Sequence, residues 1–278
     1  MIPFDSFDKW STILDERARQ YLNENEFQEY QSIPDPEKFR QLKAILENPI
    51  ASFTVVNDVV FRARWAEVLN AARPAKELTL LEIASGDADM IPQMMARLRP
   101  HSRYFSANMN RILTERLREN TRDLPVEVAV IEEDAAGIDR HLPPGSVDIV
   151  AFQHAVNDVI QAILCDREGV DTIHADWMET LPKMIAILQR ETAQNTLEQH
   201  VKPAFLNLLG KLAKVLKKDG VMVMSHYMFQ LDLDWGYPPG LWEDLIPITR
   251  EWIQELPDCK EVFFEGFHPH WWMFYQKV

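Results

Sequence analysis

The chain has 278 residues, of which 46% are apolar and 26% charged, with a formal net charge of −14. That length buries one large core, or one core plus a small appended domain. The acidity argues against tight nonspecific nucleic-acid binding, which needs Lys and Arg to displace counterions.

Two cysteines far apart, Cys165 and Cys259, form neither a CxxC pair nor a disulfide framework. The opening stretch MIPFDSFDKWS lacks a basic region followed by an apolar run, and no apolar run reaches the length of a membrane span. A cytoplasmic protein with no membrane segment is expected.

Residues 1–75 read as a helical cap. DSFDKWSTILDERARQYLNENEFQEY places Trp10, Ile13, Leu14 and Ala18 at helical spacing. Asp35-Pro36 opens a second helix that stops before Pro49, and VVNDVVFRARWAEVLNAA is a third, ending before Pro74. No strand signal occurs in this part.

From residue 76 onward the texture changes. LTLLEIA is an apolar run without polar alternation, as in a strand covered on both faces. Helix and strand patterns then alternate: MIPQMMARLRP, SRYFSANM, NRILTERLREN, VEVAVIE, and SVDIVAFQ after the turn LPPGS. The helix FLNLLGKLAKVLKKDG leads into VMVMSHYM. This alternation predicts a doubly wound, mostly parallel α/β sheet. Before the fifth strand lies a helical insertion at about 157–202, longer than a plain crossover needs. After a last helix, KEVFFEGF and HWWMFYQKV are joined so closely that they must pair antiparallel, which makes a reversed C-terminal hairpin strand.

The stretch LEIASGDAD runs from a strand end through a glycine turn to a helix start, a corner where backbone N–H groups accept anions and nucleotides. It resembles the E/D-x-G-x-G-x-G loop of the class I S-adenosylmethionine-dependent methyltransferases, with alanine at two glycine positions, Ala84 and Ala88, and Gly86 kept. Alanine resists a left-handed backbone, so smallness is expected to matter at 84 and 88 and conformational freedom at 86. The resemblance spans residues 78–278. It implies a seven-stranded fold and S-adenosylmethionine as cofactor. The nicotinamide dehydrogenases fit less well, because the G-x-x-G spacing after Gly86 is absent.

Carried over by position, the resemblance implies a cofactor site of Glu82, Ala84, Ser85, Gly86, Asp87, Asn108, Met109, Asp134, Ala135 and Gln153. Glu82 would order the loop and reach the methionine end. Asn108 stands where the family has an acid for the ribose hydroxyls, and Met109 where a residue packs on adenine. Glu133-Asp134-Ala135 resembles the acid-plus-small group that reads the adenine amino group.

Methyl transfer from a sulfonium is an in-line displacement and requires no metal. The reacting end is expected beyond the fourth strand, in SVDIVAFQHAVND. Plant-type O-methyltransferases carry a His-Asp pair there; here the pair is Asn157-Asp158, and His154 is placed about one turn earlier on the same side. His154, Asn157 and Asp158 are therefore the candidate catalytic residues. His226 reads as a strand-end histidine. His174, Asp176, His268 and His270 lack the spacing of a metal site. Arg62 and Arg64 read as a solvated helix face, with reception of an acidic substrate as the other reading. Trp271, Trp272 and Phe274 offer a surface for a partner subunit.

The acidic balance and the insertion favour a small-molecule methyl acceptor, at nitrogen or oxygen, over a nucleic acid. The competing readings are a non-catalytic adenosyl-cofactor-binding or interaction protein of the same fold and, behind it, an aminopropyl transferase. The acceptor and the oligomeric state are not legible.

Overall fold

The computed structural model describes residues 6–47, 50–51, 54–72 and 77–278. The N-terminal part holds α1 (Phe7–Tyr21), α2 (Glu24–Ser32), α3 (Asp35–Glu47), a two-residue strand β1 (Ile50–Ala51) and α4 (Val55–Ala72). On α1 the buried residues Trp10, Leu14, Ala18 and Tyr21 form one stripe at helical spacing. The first predicted helix is broken after Tyr21. Asn23 starts α2 with a capping box: it accepts from the Glu26 N–H and donates its own N–H to the Glu26 carboxylate. Strand β1 was not anticipated, because two residues carry no periodicity; it pairs in parallel with Met228–Phe229.

The remainder builds the main sheet. In chain order it holds β2 (Thr79–Ile83), α5 (Met90–Leu98), β3 (Arg103–Ala107), α6 (Arg111–Thr121) and β4 (Glu127–Ile131). A 3-10 turn (Ala135–Arg140), β5 (Val147–Gln153), α7 (Val156–Arg167), α8 (Trp177–Ala193), α9 (Leu197–His200) and α10 (Lys202–Val215) follow. Then come β6 (Leu216–Ser225), β7 (Met228–Phe229), α11 (Gln230–Asp234), α12 (Leu241–Ile253), β8 (Cys259–Glu261) and β9 (Trp272–Lys277).

The seven strands lie in the order β4-β3-β2-β5-β6-β9-β8. All pairings are parallel except those of β9, which runs antiparallel to β6 and β8. This is the mostly parallel seven-stranded sheet with one reversed strand that the resemblance implies. Every residue of β2 is buried, as its unbroken apolar run requires. At the opposite end from the site, Asp148 of β5 accepts from the Thr79 N–H at 2.9 Å and the Lys217 ammonium at 2.7 Å, locking three central strands in register. The order of strand addition reverses between β2 and β5. Doubly wound sheets take ligands at such a switch point, beyond the carboxyl ends of the strands.

Two expectations are corrected. Strand β8 ends at Glu261, and Val262–Trp271 forms the link to β9, so the hairpin loop is longer than the sequence pattern implied. Trp271, Trp272 and Phe274 are buried within the chain; Trp272 packs against Trp65 at 5.5 Å and its indole N–H donates to the Tyr227 hydroxyl. They complete the core and offer no partner surface. Among the described residues, no helix is long and apolar enough to cross a membrane.

Candidate active site

The loop after β2 is held from beneath by a buried polar network. Glu82 is 1% exposed and accepts a hydrogen bond from the Tyr104 hydroxyl at 2.7 Å. The Ser85 and Ser106 hydroxyls lie 2.7 Å apart beside it. Glu82 and Ser106 are register partners, and with Tyr104 they share one face of the sheet, so the alternation of two strands builds this cluster.

The backbone of the loop is left-handed at two places, Gly86 with φ +61° and Ala84 with φ +52°. Gly86 is the free position that the sequence singles out. Ala84 corrects the expectation of mere smallness, since alanine occupies a conformation that favours glycine, at about 1 kcal/mol. Ala88 has no positive φ, so smallness suffices there. Ala84→Gly is expected to stabilise the protein by about 1 kcal/mol. Urea midpoints check this; an unchanged or lower midpoint would show that the loop carries no strain at this position.

Asn108 ends β3 and is buried. Its amide donates to the Gly86 carbonyl at 2.8 Å, clamping the loop. This accounts for asparagine in place of an acid, because a carboxylate has nothing to donate. Met109 beside it is partly exposed. Asp87 faces Arg116 of α6 at 3.6 Å, away from the loop's inner side. Asp134 is exposed and caps the 3-10 turn, accepting from the Ala136 N–H at 2.8 Å, with Ala135 buried behind it. Glu132 and Glu133 are spent on Arg118 and Arg140. The amide of Asn110 holds the Thr172 and Ala175 carbonyls, drawing the 172–175 segment onto the start of α6.

Beyond the ends of β5 and β6, under α4, lies a cavity of about 70 Å³, room for a few water-sized groups. Gln153, His154, Ser225, Tyr227 and Phe229 line one side; Asn57, Asp58, Phe61 and Trp65 of α4 and Met90 of α5 line the other. Asn57 is 3% exposed, yet neither its amide nitrogen nor its oxygen has a hydrogen-bond partner. Orphaned buried amides of this kind cost free energy unless a ligand completes them. The Gln153 oxygen is in the same state, its nitrogen reaching only the Met90 sulfur at 3.5 Å. Asn57 and Asp58 carried no motif; they sit on α4, a helix buried on nearly every face, and only the fold brings them to the cavity.

His154 is not on a helix with Asn157 and Asp158. It ends β5 with φ +52°, and α7 starts two residues later. This left-handed backbone costs a non-glycine residue free energy, and it sits beside the cavity. Its Nε2 lies 3.7 Å from an Asp232 carboxylate oxygen, and its ring sits 4.8 Å from Phe229 and 5.6 Å from His226. Asp232 was missed in the sequence, because α11, which carries it, is only five residues long. The Asn157 amide donates to Asp158 at 2.9 Å. Arg62 and Arg64 are buried, contrary to a solvated face. Arg62 makes a two-pronged pair with Glu26, and Arg64 pairs with Glu67 and lies over the rings of Trp10 and Phe267. Both are engaged within the chain.

The electrostatics of the site are one-sided. Burial pushes the Glu82 carboxyl up to about 8. Burial raises Asp58 to about 6 against the pull of Arg62, and raises Asp89 as well. Asp158 rises to about 7 through burial and the charge of Asp232. Burial lowers His154 to about 4 and takes His226 well below its usual value.

The histidines, with folded values below unfolded ones, contribute stability that is complete above about pH 6.5 and lost as pH falls toward 4. The carboxyls, with raised folded values, contribute stability present at acid pH and lost as pH rises through 6 to 8. Above pH 6.5 only the carboxyls act, so stability is expected to fall from pH 6.5 to 8.5 by up to about 1.4 kcal/mol per pH unit for each proton. Glu82→Gln is expected to flatten that fall. Denaturant titrations at the two pH values check it, and an equal slope in the variant would contradict the assignment to Glu82.

No family model matches the sequence, and no curated protein matches it. Solved structures do. The chain is similar to a SAM-dependent methyltransferase from Aquifex aeolicus, with 12% identity and a TM-score of 0.45 over 77% of this chain and 88% of that one. It is similar to the CurJ carbon methyltransferase, with 13% identity and a TM-score of 0.48 over 98% of this chain and 69% of that one. It is also similar to an rRNA methylase from Streptococcus thermophilus, with 11% identity and a TM-score of 0.40 over 79% and 95% of the two chains. One of these is named for methylation at carbon and one for rRNA, and nothing about this chain's acceptor follows from them.

Proposed function

We propose that the protein is an S-adenosylmethionine-dependent methyltransferase acting on nitrogen or oxygen of a small organic molecule. The observation that carries this is Asn57, a buried amide with both polar atoms unpartnered, facing a cavity at the switch point of the sheet. The chain's own residues fit an adenosyl cofactor. The loop at Ser85–Gly86 lets its backbone approach a ligand closely, and Met109, Asp134 and Ala135 lie at the next two strand ends, where the adenosine would rest. Asn57 and Gln153 would complete the polar groups of the amino-acid end, and Asp58 would face its ammonium. Phe61, Tyr227 and Phe229 give an aromatic wall that attracts a cation and keeps water out. Bound there, the cofactor supplies an activated methyl group on a sulfonium.

The net charge of −14 and the narrow cavity support a small acceptor over RNA. Asn157 at the place of the plant-type base favours a second reading, in which the chain binds the cofactor without transfer. Incubation with methyl-labelled S-adenosylmethionine, a pool of small amines and alcohols, and total RNA separates them. Label in the small-molecule fraction is expected. Label in RNA would contradict the acceptor class, and binding without any transfer would establish the second reading.

A further inference from the structure

The two edges of the main sheet are guarded differently. Strand β8 at one edge is three residues long and carries Lys260 at its centre. Shortness and a central lysine both discourage pairing with another chain. Strand β4 at the other edge has neither guard. It reads EVAVI, follows Val126, and contains no lysine, proline or glycine. Its pairing with β3 is parallel and unbroken over all five residues, with no bulge to bend the edge away. Each of its residues is exposed or half-buried, whereas β2 at the centre is buried throughout.

The backbone shows which groups are left over. The Glu127 N–H donates to the Ser102 carbonyl, and the Ile131 carbonyl accepts from the Asn108 N–H. By the two-residue period of a strand, Glu127, Ala129 and Ile131 spend their backbone groups on β3. The N–H and C=O groups of Val128 and Val130 therefore point outward, and among the described residues no hydrogen bond reaches them.

We propose that this edge joins a second copy of the chain, β4 against β4, in an antiparallel pair centred on Ala129, so that the two sheets become one.

The strand is self-complementary in that register. Val128 lies opposite Val130 of the second copy and exchanges both backbone bonds with it, and the two-fold axis repeats the exchange. Every outward group of the two valines is then used. The β-branched side chains meet across the pair, where they pack well. Glu127 lies opposite Ile131 and Glu132 opposite Val126, so no carboxylate directly faces another. Centring on Val130 instead would set Glu127 against Glu133, and centring on Glu127 would set that carboxylate against its own copy. Glu132 and Glu133 are also paired with Arg118 and Arg140 of their own chain. A chain of net charge −14 repels its own copies, so an edge where acids meet apolar residues is where two copies approach at least cost. Any extended peptide could use the outward backbone groups, but the match of acids to apolar residues about Ala129 is a property of this strand with itself.

So short an edge buries less surface than a permanent dimer does, and the association is expected to be reversible in the micromolar range. Sedimentation velocity across that range tests it on the full chain. Wild type is expected to dimerise with concentration, and Val130→Pro to weaken the association at least tenfold. Proline there removes an outward N–H that β3 does not use, so the fold should persist, and circular dichroism with a thermal midpoint shows whether it does. Val130→Lys, which installs the guard that β8 already has, takes its place if the proline variant unfolds. Ala129→Cys reads the register. On the two-fold axis the two Cα atoms of residue 129 would lie about 4.5 Å apart, within reach of a disulfide, whereas those of residue 127 would lie about 13 Å apart. Mild oxidation is expected to cross-link Ala129→Cys into a reducible dimer, and to leave Glu127→Cys and wild type, which share Cys165 and Cys259, uncross-linked. A wild-type monomer at every concentration, an undiminished dimer in a folded Val130 variant, or cross-linking of Glu127→Cys as readily as Ala129→Cys overturns the proposal.

Discussion

Gly86→Val is expected to lower the affinity for S-adenosylhomocysteine at least a hundredfold, which is about 3 kcal/mol. The cause is the backbone. A Cβ at position 86 would meet only the Leu113 side chain, at 3.8 Å, which is ordinary contact. The conformation is the obstacle, because φ is +61° and a β-branched residue tolerates that region poorly. Relaxing φ turns the Gly86 carbonyl away from the Asn108 amide and breaks the clamp on the loop. The loop N–H groups then no longer face the ligand. Gly86→Ala, with less strain, should fall between wild type and valine. Calorimetry with each variant reads the effect, and wild-type affinity in the valine variant would show that the ligand does not touch this loop.

Arg62→Met is expected to lose about 3 kcal/mol of stability, far more than a surface ion pair is worth. The Arg62 side chain is 5% exposed and reaches the Tyr21 carbonyl at 2.9 Å and both oxygens of Glu26 at 2.6 and 2.7 Å. It ties α1, α2 and α4 together. Removing it strands a largely buried carboxylate and the end carbonyl of a helix. Arg62 is also the cation that opposes the upward shifts of Asp58 and Asp89, so its loss keeps those acids protonated to higher pH and should weaken the affinity for a cationic ligand at neutral pH. Urea unfolding measures the first effect. Glu26→Gln in the same chain should recover part of it, since the stranded charge is then gone. A loss under about 1 kcal/mol would place this pair among ordinary surface contacts.

The sheet was legible because its signals are long. Apolar runs such as LTLLEIA and SVDIVAFQ, bounded by turns and alternating with helix patterns, read as buried strands, and the nearness of the two C-terminal runs implied one reversal even though their link is longer than it looked. Strand β1 and helix α11 were not legible, because two and five residues carry no period. Gly86 was readable from the demand of a turn, whereas the left-handed state of Ala84 was not, since alanine signals the opposite. The buried Arg62 looked solvated because its partner Glu26 is 36 residues away in sequence. His154 was placed on the wrong element for a similar reason. The helix pattern of HAVND runs back into the strand end, and only the backbone shows where α7 begins. Asn57 and Asp58 reach the cavity, and Asp232 reaches His154, by tertiary placement alone, and no local pattern announces them.

The proposed function requires that the carboxyl edge of the sheet around Gly86, Asn108 and Asn57 hold an adenosyl cofactor. Calorimetric titration of the wild-type protein with S-adenosylmethionine and S-adenosylhomocysteine tests it most directly, with Asn57→Leu as the paired variant. The prediction is one site per chain with micromolar affinity for both ligands, weakened at least tenfold by Asn57→Leu. Absence of binding to either ligand, or affinity untouched by the Asn57 change, would contradict it.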